Sequence, residues 1–181
     1  MQDFLNQPCV QRIQAYCNKR FFESFPEHAS FYRTVGGSQH FKPYQAFKWG
    51  PCFPSLAINE EVNAISAPHR DRRDFLQGLA GVLSIGSYKR MTLNFHEAKV
   101  TLELPPGSLC FFPSHVLHHY NTPVEDGETR GSLTMFMSTD VVKWAGYGGK
   151  ACETPQEVKN NFKAHCHSQW SLFQTIDHKK H

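Results

Sequence analysis

MTLNFHEAKVTLELPPGSLCFF, residues Met91–Phe112, carries the pattern that decides the fold. Met91, Leu93 and Phe95 alternate with Thr92 and Asn94, and Val100, Leu102 and Leu104 alternate with Lys99, Thr101 and Glu103. Side chains two apart share one face of a strand, so each run predicts a half-buried strand. Pro105-Pro106-Gly107 then turns the chain, and the apolar Leu109–Phe112 reads as a fully buried strand.

The same grain extends outward in both directions. Gly81–Tyr88 is a mostly apolar strand. Before it, Leu56 and Ile58 alternate with Ala57 and Asn59, and an extended piece runs from Ile65 to Ala67. Beyond it, Val116–Asn121 continues after a Pro113-Ser114 break, Glu125-Asp126-Gly127 makes a turn, and Leu133, Met135 and Met137 alternate along the last strong strand. Many short antiparallel strands joined by tight turns predict a mostly β fold, a barrel or double-sheet jelly roll.

Helices are expected on either side. Asn6-Gln7-Pro8 starts one, with proline where its missing N–H does no harm. Val10, Ile13, Cys17 and Phe21 give it an apolar stripe to about Ser24, and Pro26–Val35 forms a second, stopped by Gly36-Gly37. The aromatics of the following loop (Phe41, Tyr44, Phe47, Trp49) are expected to pack on the sheet rather than to stack a substrate. After Ser138 the chain turns helical again. Thr154-Pro155-Gln156-Glu157 has the form of a capped helix start, followed by an apolar stripe at Val158, Phe162, Cys166, Trp170 and Phe173, and His178–His181 reads as a frayed tail. The expectation is a single domain over 1–181: helical and loop support in 1–54, a β core in 55–138, and C-terminal helical support in 139–181.

At 181 residues, 40% hydrophobic and 13% aromatic, the chain can bury a core around a small-molecule pocket and is not of disordered type. No apolar run reaches membrane-spanning length. Six cysteines without a C-x-x-C pair, and without a signal peptide before them, read as free thiols in a reducing, intracellular compartment, nuclear or cytoplasmic. The charge of +3 permits a polyanionic partner without announcing one. Arg70, Arg72, Arg73, Lys89 and Arg90 read first as a solvated face.

The chemistry lies in Ala67–Ser132. His69 and Asp71, as an i, i+2 pair on a strand, would both face the barrel mouth while Arg70 points away. With one more histidine they offer three ligands on one face of a divalent metal and leave the other face open, a set suited to Fe(II). The letters His69-Arg70-Asp71 also open a protein-kinase motif. That reading fails, because Leu76 stands where the kinase asparagine belongs and the other kinase motifs are missing. His115, His118 and His119 are all candidates for the remaining ligand. His119 is preferred because it lies on the strand leading to the turn before Arg130, whereas His118 faces the opposite way and His115 sits at the Pro113 bend. Arg130 and Ser132 form a second i, i+2 pair, a guanidinium fork and a hydroxyl fit to hold the far carboxylate of a cosubstrate. Asn59 is a further candidate contact for that cosubstrate. A zinc set from His165, Cys166 and His167 is set aside, because adjacent helical residues face different directions. Together these features imply a non-haem Fe(II), 2-oxoglutarate-dependent oxygenase.

Pro68-His69-Arg70-Asp71, Leu104-Pro105-Pro106-Gly107-Ser108, Phe112-Pro113-Ser114, His119-Tyr120-Asn121-Thr122-Pro123-Val124 and Gly127-Glu128-Thr129-Arg130, in that order, resemble the fungal dioxygenase domains of the TET/JBP-like group. The resemblance covers about residues 55–147 and takes in Trp144, Tyr147 and Gly148. It departs from the group in lacking a Gly-Gly-x-Leu segment in mid-barrel. It implies a double-stranded β-helix of cupin-like type, iron bound by His69, Asp71 and His119, and 2-oxoglutarate bound by Arg130. It also implies oxidation of a methylated base, 5-methylcytosine or N6-methyladenine, with nucleic acid and dioxygen as partners. The competing expectations are a hydroxylase of small molecules or proteins, and a catalytically idle β-helix that only binds.

Overall fold

The structure, a computed structural model, describes residues 2–41, 48–60 and 64–149. Tyr44, Phe47, the helix expected from Thr154 and the tail lie outside the described residues. Among those described, strands form two antiparallel sheets. β1 (Ser55–Asn59), β2 (Ala80–Ser87), β5 (Leu109–Phe112) and β7 (Thr129–Phe136) make one, in the order β1-β7-β2-β5. β3 (Thr92–Phe95), β4 (Val100–Glu103) and β6 (His119–Asn121) make the other, in the order β4-β3-β6.

The alternation along β7 determines what each face of the larger sheet does. Ser132 stands opposite Asn59 of β1 and Ser84 of β2, and Thr134 stands opposite Ala57 and Val82. Directly opposed residues share a face. Arg130, Ser132, Thr134 and Phe136 therefore look toward the smaller sheet, and Leu133 and Met135 look away from it. Leu133 and Met135 enter a buried cluster with Leu5 of the short α1 (Gln2–Leu5) and with Phe21, Tyr32, Trp49 and Phe53, supplied by α2 (Pro8–Ser24), α3 (Pro26–Gly36) and the loop after them. Phe21 is the hinge of this cluster. Its ring centroid lies 4.6 Å from Phe53, 5.2 Å from Phe111 of β5 and 5.3 Å from Tyr32. On the inner face, Val82 and Phe112 pack with Met91, Leu93 and Phe95, and the Phe95 and Phe112 rings approach to 4.9 Å. Each buried phenylalanine contributes roughly 2 kcal/mol of transfer free energy.

This is the double-stranded β-helix expected from the sequence, with the barrel drawn as two facing sheets. Of the loop aromatics expected to pack, the two described, Phe41 and Trp49, are buried, and Phe53 is buried with Trp49. Asn18 of α2 pins Trp49 and Phe53 by donating to the Trp49 carbonyl at 3.0 Å and accepting from the Cys52 N–H at 2.9 Å. Helix α4 (Thr139–Gly146) starts on Ser138, whose hydroxyl accepts the Val141 N–H at 3.2 Å. The four described cysteines, Cys9, Cys17, Cys52 and Cys110, are unbridged. No helix among the described residues is long and apolar enough to cross a membrane.

Three elements differ from the sequence reading. β4 is exposed at all four positions rather than half-buried, because it is the outermost strand of the smaller sheet; only Leu104, just past it, reaches the inter-sheet core. Leu109–Phe112 is mostly half-buried, because β5 edges the larger sheet. The strand expected from Val116 starts at His119, because the preceding residues turn back on Pro113, whose carbonyl accepts from the Val116 and Leu117 N–H groups.

Candidate active site

A cleft of about 530 Å³ opens between the sheets, and all six residues singled out from the sequence line it: Asn59, His69, Asp71, His119, Arg130 and Ser132. His69 reaches it by pairing with His119. Each backbone donates to the other, at 3.1 and 2.9 Å, an isolated bridge that sets both rings on one side, with centroids 4.3 Å apart. Asp71 arrives by a different route from the one expected. It is not on a strand with His69; its N–H bonds the Ser114 carbonyl at 3.0 Å, and the chain then turns, with the Asp74 N–H on the Asp71 carbonyl. The side chain still joins the histidines, because the bridge at His69 and the tie to Ser114 fix both ends of a two-residue span.

The polar atoms are arranged for a cation. His69 Nδ1 faces the Ala67 carbonyl at 2.8 Å, and His119 Nδ1 faces the Leu117 carbonyl at 3.0 Å. A carbonyl only accepts, so each Nδ1 carries the proton and each Nε2 presents a lone pair. Those lone pairs point at Asp71, with His69 Nε2 3.6 Å from Oδ1 and His119 Nε2 3.6 Å from Oδ2. All three ligand atoms lie within 4.8 Å of one another. Burial holds the His119 imidazole below its usual pKa, favouring the neutral form that a metal needs. Three acceptors converging without a proton between them are held most favourably by a divalent ion. The donor set fits such a metal.

Arg130, 7% exposed, is buried beside this acceptor set without an acidic partner among the described residues. One of its terminal nitrogens donates to the Ala64 carbonyl, while its Nε is buried with no partner. Burial pulls its pKa down from the usual guanidinium value. A buried cation with an orphaned donor is costly until an anion meets it. Beside it, Asn59 Nδ2 donates to Ser132 Oγ at 2.9 Å, which leaves the serine proton free to point into the cleft. The fit to a small dicarboxylate is good.

Gly131, between Arg130 and Ser132, is required by space. A Cβ there would lie 2.6 Å from the Asn59 carbonyl oxygen. Asn121 closes the back of the site: its Oδ1 accepts from the Ser66 N–H and hydroxyl, and its Nδ2 donates to the Ala64 carbonyl that Arg130 also uses.

The other histidine candidates lie elsewhere. His115 Nδ1 faces the Asp74 carbonyl at 2.8 Å, and His118 pairs with the exposed Glu97, whose carboxyl that contact holds down at about 2. The basic residues do not make one uniform patch. Arg73, Lys89 and Arg90 sit in exposed pairs with Asp140, Glu125 and Glu103. The reading of the sequence missed Asp74, which is buried in the cleft wall with Ser114 Oγ donating to it at 2.5 Å. Burial raises its pKa to about 6. Its offset from Asp71 follows a turn rather than a strand or helix period, so no periodicity in the sequence marks it.

No protein-family model matches the chain, and no curated protein matches it at a significant level. The fold does have solved counterparts. NgTET1, solved in complex with 5mC DNA, is 19% identical, with a TM-score of 0.57 over 90% of this chain and 61% of that chain. The present chain thus spans about three fifths of that protein. The FeII form of HppE is 16% identical over 46% of this chain and 43% of that one, with a TM-score of 0.29, too low to bear on the argument. At these identities the likeness is one of fold, and the fold is a TET-like double-stranded β-helix.

Proposed function

We propose that the protein is an Fe(II)/2-oxoglutarate-dependent dioxygenase that oxidises a methylated base, 5-methylcytosine or N6-methyladenine, in nucleic acid, and that it belongs with the fungal TET/JBP-like domains. The observation that supports this most is the joining, in one cleft, of a His-Asp-His acceptor set to a buried arginine that pairs with no described acid. His69 and His119 would hold the metal through Nε2 and Asp71 through a carboxylate oxygen. Arg130 would take the far carboxylate of 2-oxoglutarate, with the Ser132 proton as a further donor and Asn59 fixing that hydroxyl. When bound, the pair Fe(II) and 2-oxoglutarate turns dioxygen into an oxidant for C–H bonds and releases succinate and carbon dioxide.

The chain's own contribution is placement. Nδ1–carbonyl bonds lock both imidazoles in the ligating tautomer. Burial of His119, Arg130 and Ser132 keeps water from one side of the cleft. His69 is the exposed member of the set, so a substrate methyl would approach from its side. A base within a duplex would have to leave the stack to reach it, with the exposed Arg72 beside Asp71 meeting phosphate. An intracellular site, nuclear or cytoplasmic, accompanies this reading.

The test is succinate release when the full chain is mixed with Fe(II), 2-oxoglutarate and DNA or RNA carrying 5-methylcytosine, N6-methyladenine or neither. Release that depends on a methylated base and vanishes in His69→Ala is expected. Mn(II) binding without turnover on any nucleic acid would favour a hydroxylase of small molecules or proteins. Failure of the wild type to bind Fe(II) or Mn(II), or equal binding by His69→Ala, would favour an idle binding module.

A further inference from the structure

β4 carries an open edge whose sequence is complementary to itself. It pairs with β3 on one side, and no described residue pairs with the other. The Leu104 N–H donates to the Met91 carbonyl at 2.9 Å, so the pairs that exchange hydrogen bonds toward β3 are those in step with it, Leu102 with Leu93 and Val100 with Phe95. The backbone N–H and C=O groups of Thr101 and Glu103 therefore point outward. Val100 and Leu102 are 40% and 37% exposed, although they share a face with Leu93 and Phe95 of the inter-sheet core. The edge thus offers unpaired backbone beside an apolar row that runs out uncovered.

We propose that a second copy of this chain adds its own β4 to this edge, antiparallel, about a two-fold axis through Thr101. In that register Val100 stands opposite the partner's Leu102 and Thr101 opposite the partner's Thr101, while Lys99, in the turn just before the strand at φ 52°, brings its flexible ammonium beside the partner's Glu103. The Val100 and Lys99 contacts each occur twice, as an isologous interface requires. The central pair is of the hydrogen-bonded kind, which matches the outward backbone of Thr101. A slip by one residue would oppose an outward-facing residue to an inward-facing one, and a slip by two would lose both charge pairs. Natural edges are usually blunted by charge. Here the two charges flanking the apolar pair have opposite signs, so two copies attract where like charges would repel. Glu103 already has Arg90 at 3.8 Å, an exposed pair that leaves its carboxylate able to take a second cation. Thr101 Oγ1 donates to Asn94 within its own sheet and is not needed across the axis. The inference is independent of the enzymatic reading.

Sedimentation velocity of the full chain tests it. A concentration-dependent shift from the 20.7 kDa species to twice that mass is expected between roughly micromolar and near-millimolar protein, since the interface is short. Lys99→Glu alone and Glu103→Lys alone should each weaken association about tenfold, because each turns two attractive pairs into repulsive ones. The double variant should recover wild-type association, and so should an equimolar mixture of the two single variants. Thr101→Pro, which deletes an outward N–H and leaves the β3 pairing intact, should remain monomeric with an unchanged far-UV spectrum. A wild type that stays monomeric throughout, or single variants that associate like the wild type, would overturn the proposal.

Discussion

At the scale of single residues, Arg130 is where the proposed cosubstrate and the structure constrain one another most closely. Lysine keeps the charge but loses the planar fork, and its ammonium cannot bond the Ala64 carbonyl and two carboxylate oxygens in the same plane. Arg130→Lys should therefore raise the 2-oxoglutarate concentration needed for half-maximal turnover by about 10–100-fold. Mn(II) affinity without 2-oxoglutarate should stay near wild type, measured by calorimetric titration; a matching loss of Mn(II) affinity would mean that the arginine supports the metal instead. Gly131→Ala tests the neighbouring constraint. The added methyl must push against the Asn59 carbonyl, so β1 has to separate from β7 at the row that carries Asn59 and Ser132. A loss of about 1–3 kcal/mol in denaturant unfolding is expected. Most of this site was legible in the chain, because the ligand atoms come from few residues spaced along two extended segments. Asp74 was not, since its place depends on how the turn after Asp71 folds back on Ser114.

At the scale of elements, β7 is shared by everything that matters: its inner residues build the cleft and its outer ones anchor the helices. Alternating polarity along a single strand announces both duties, and the starts of α2 and α3 were equally plain from Pro8 and Pro26. What one strand's pattern cannot reveal is which strands lie at an edge. Val100 and Leu102 alternate like buried residues, yet β4 has no sheet over it, a fact fixed by strand order and not by local polarity. The helical layer makes its own prediction. Phe21 is fully buried against Tyr32, Phe53 and Phe111, so Phe21→Ala leaves a cavity shared by α2, α3 and β5. A stability loss of about 3–5 kcal/mol is expected by chemical denaturation. Because the inter-sheet cluster around Leu93 and Phe112 is separate, surviving variant protein should still bind Mn(II). Loss of Mn(II) binding by folded protein would show that the helical layer reaches the metal ligands.

At the scale of the whole molecule, the proposed ligands would join parts that the backbone joins only sparsely. His119 belongs to the smaller sheet, Arg130 and Ser132 to the larger, and His69 and Asp71 to the segment between β1 and β2. Near the cleft, these parts meet through the His69–His119 bridge, the Asp71–Ser114 bond and the contacts of Asn121 and Arg130 with Ala64. Converging acceptors and a buried unpaired cation both disfavour the ligand-free folded state, and binding removes both penalties together. The gain should appear as global stability, since the unfolded chain holds none of these groups in register. Each ligand, at about a hundred times its own Kd, adds about 2.7 kcal/mol by mass action. For a chain of this length that corresponds to a rise in melting temperature of roughly 5–10 °C. Under anaerobic conditions Mn(II) alone should produce a shift of this size and Mn(II) with 2-oxoglutarate about twice it, read by differential scanning calorimetry. In His69→Ala both shifts should collapse, and in Arg130→Lys only the increment due to 2-oxoglutarate should shrink, to about half or less. Equal shifts in all three proteins would mean that the stabilising ligands bind outside the cleft, and the assignment of all six residues would fall together.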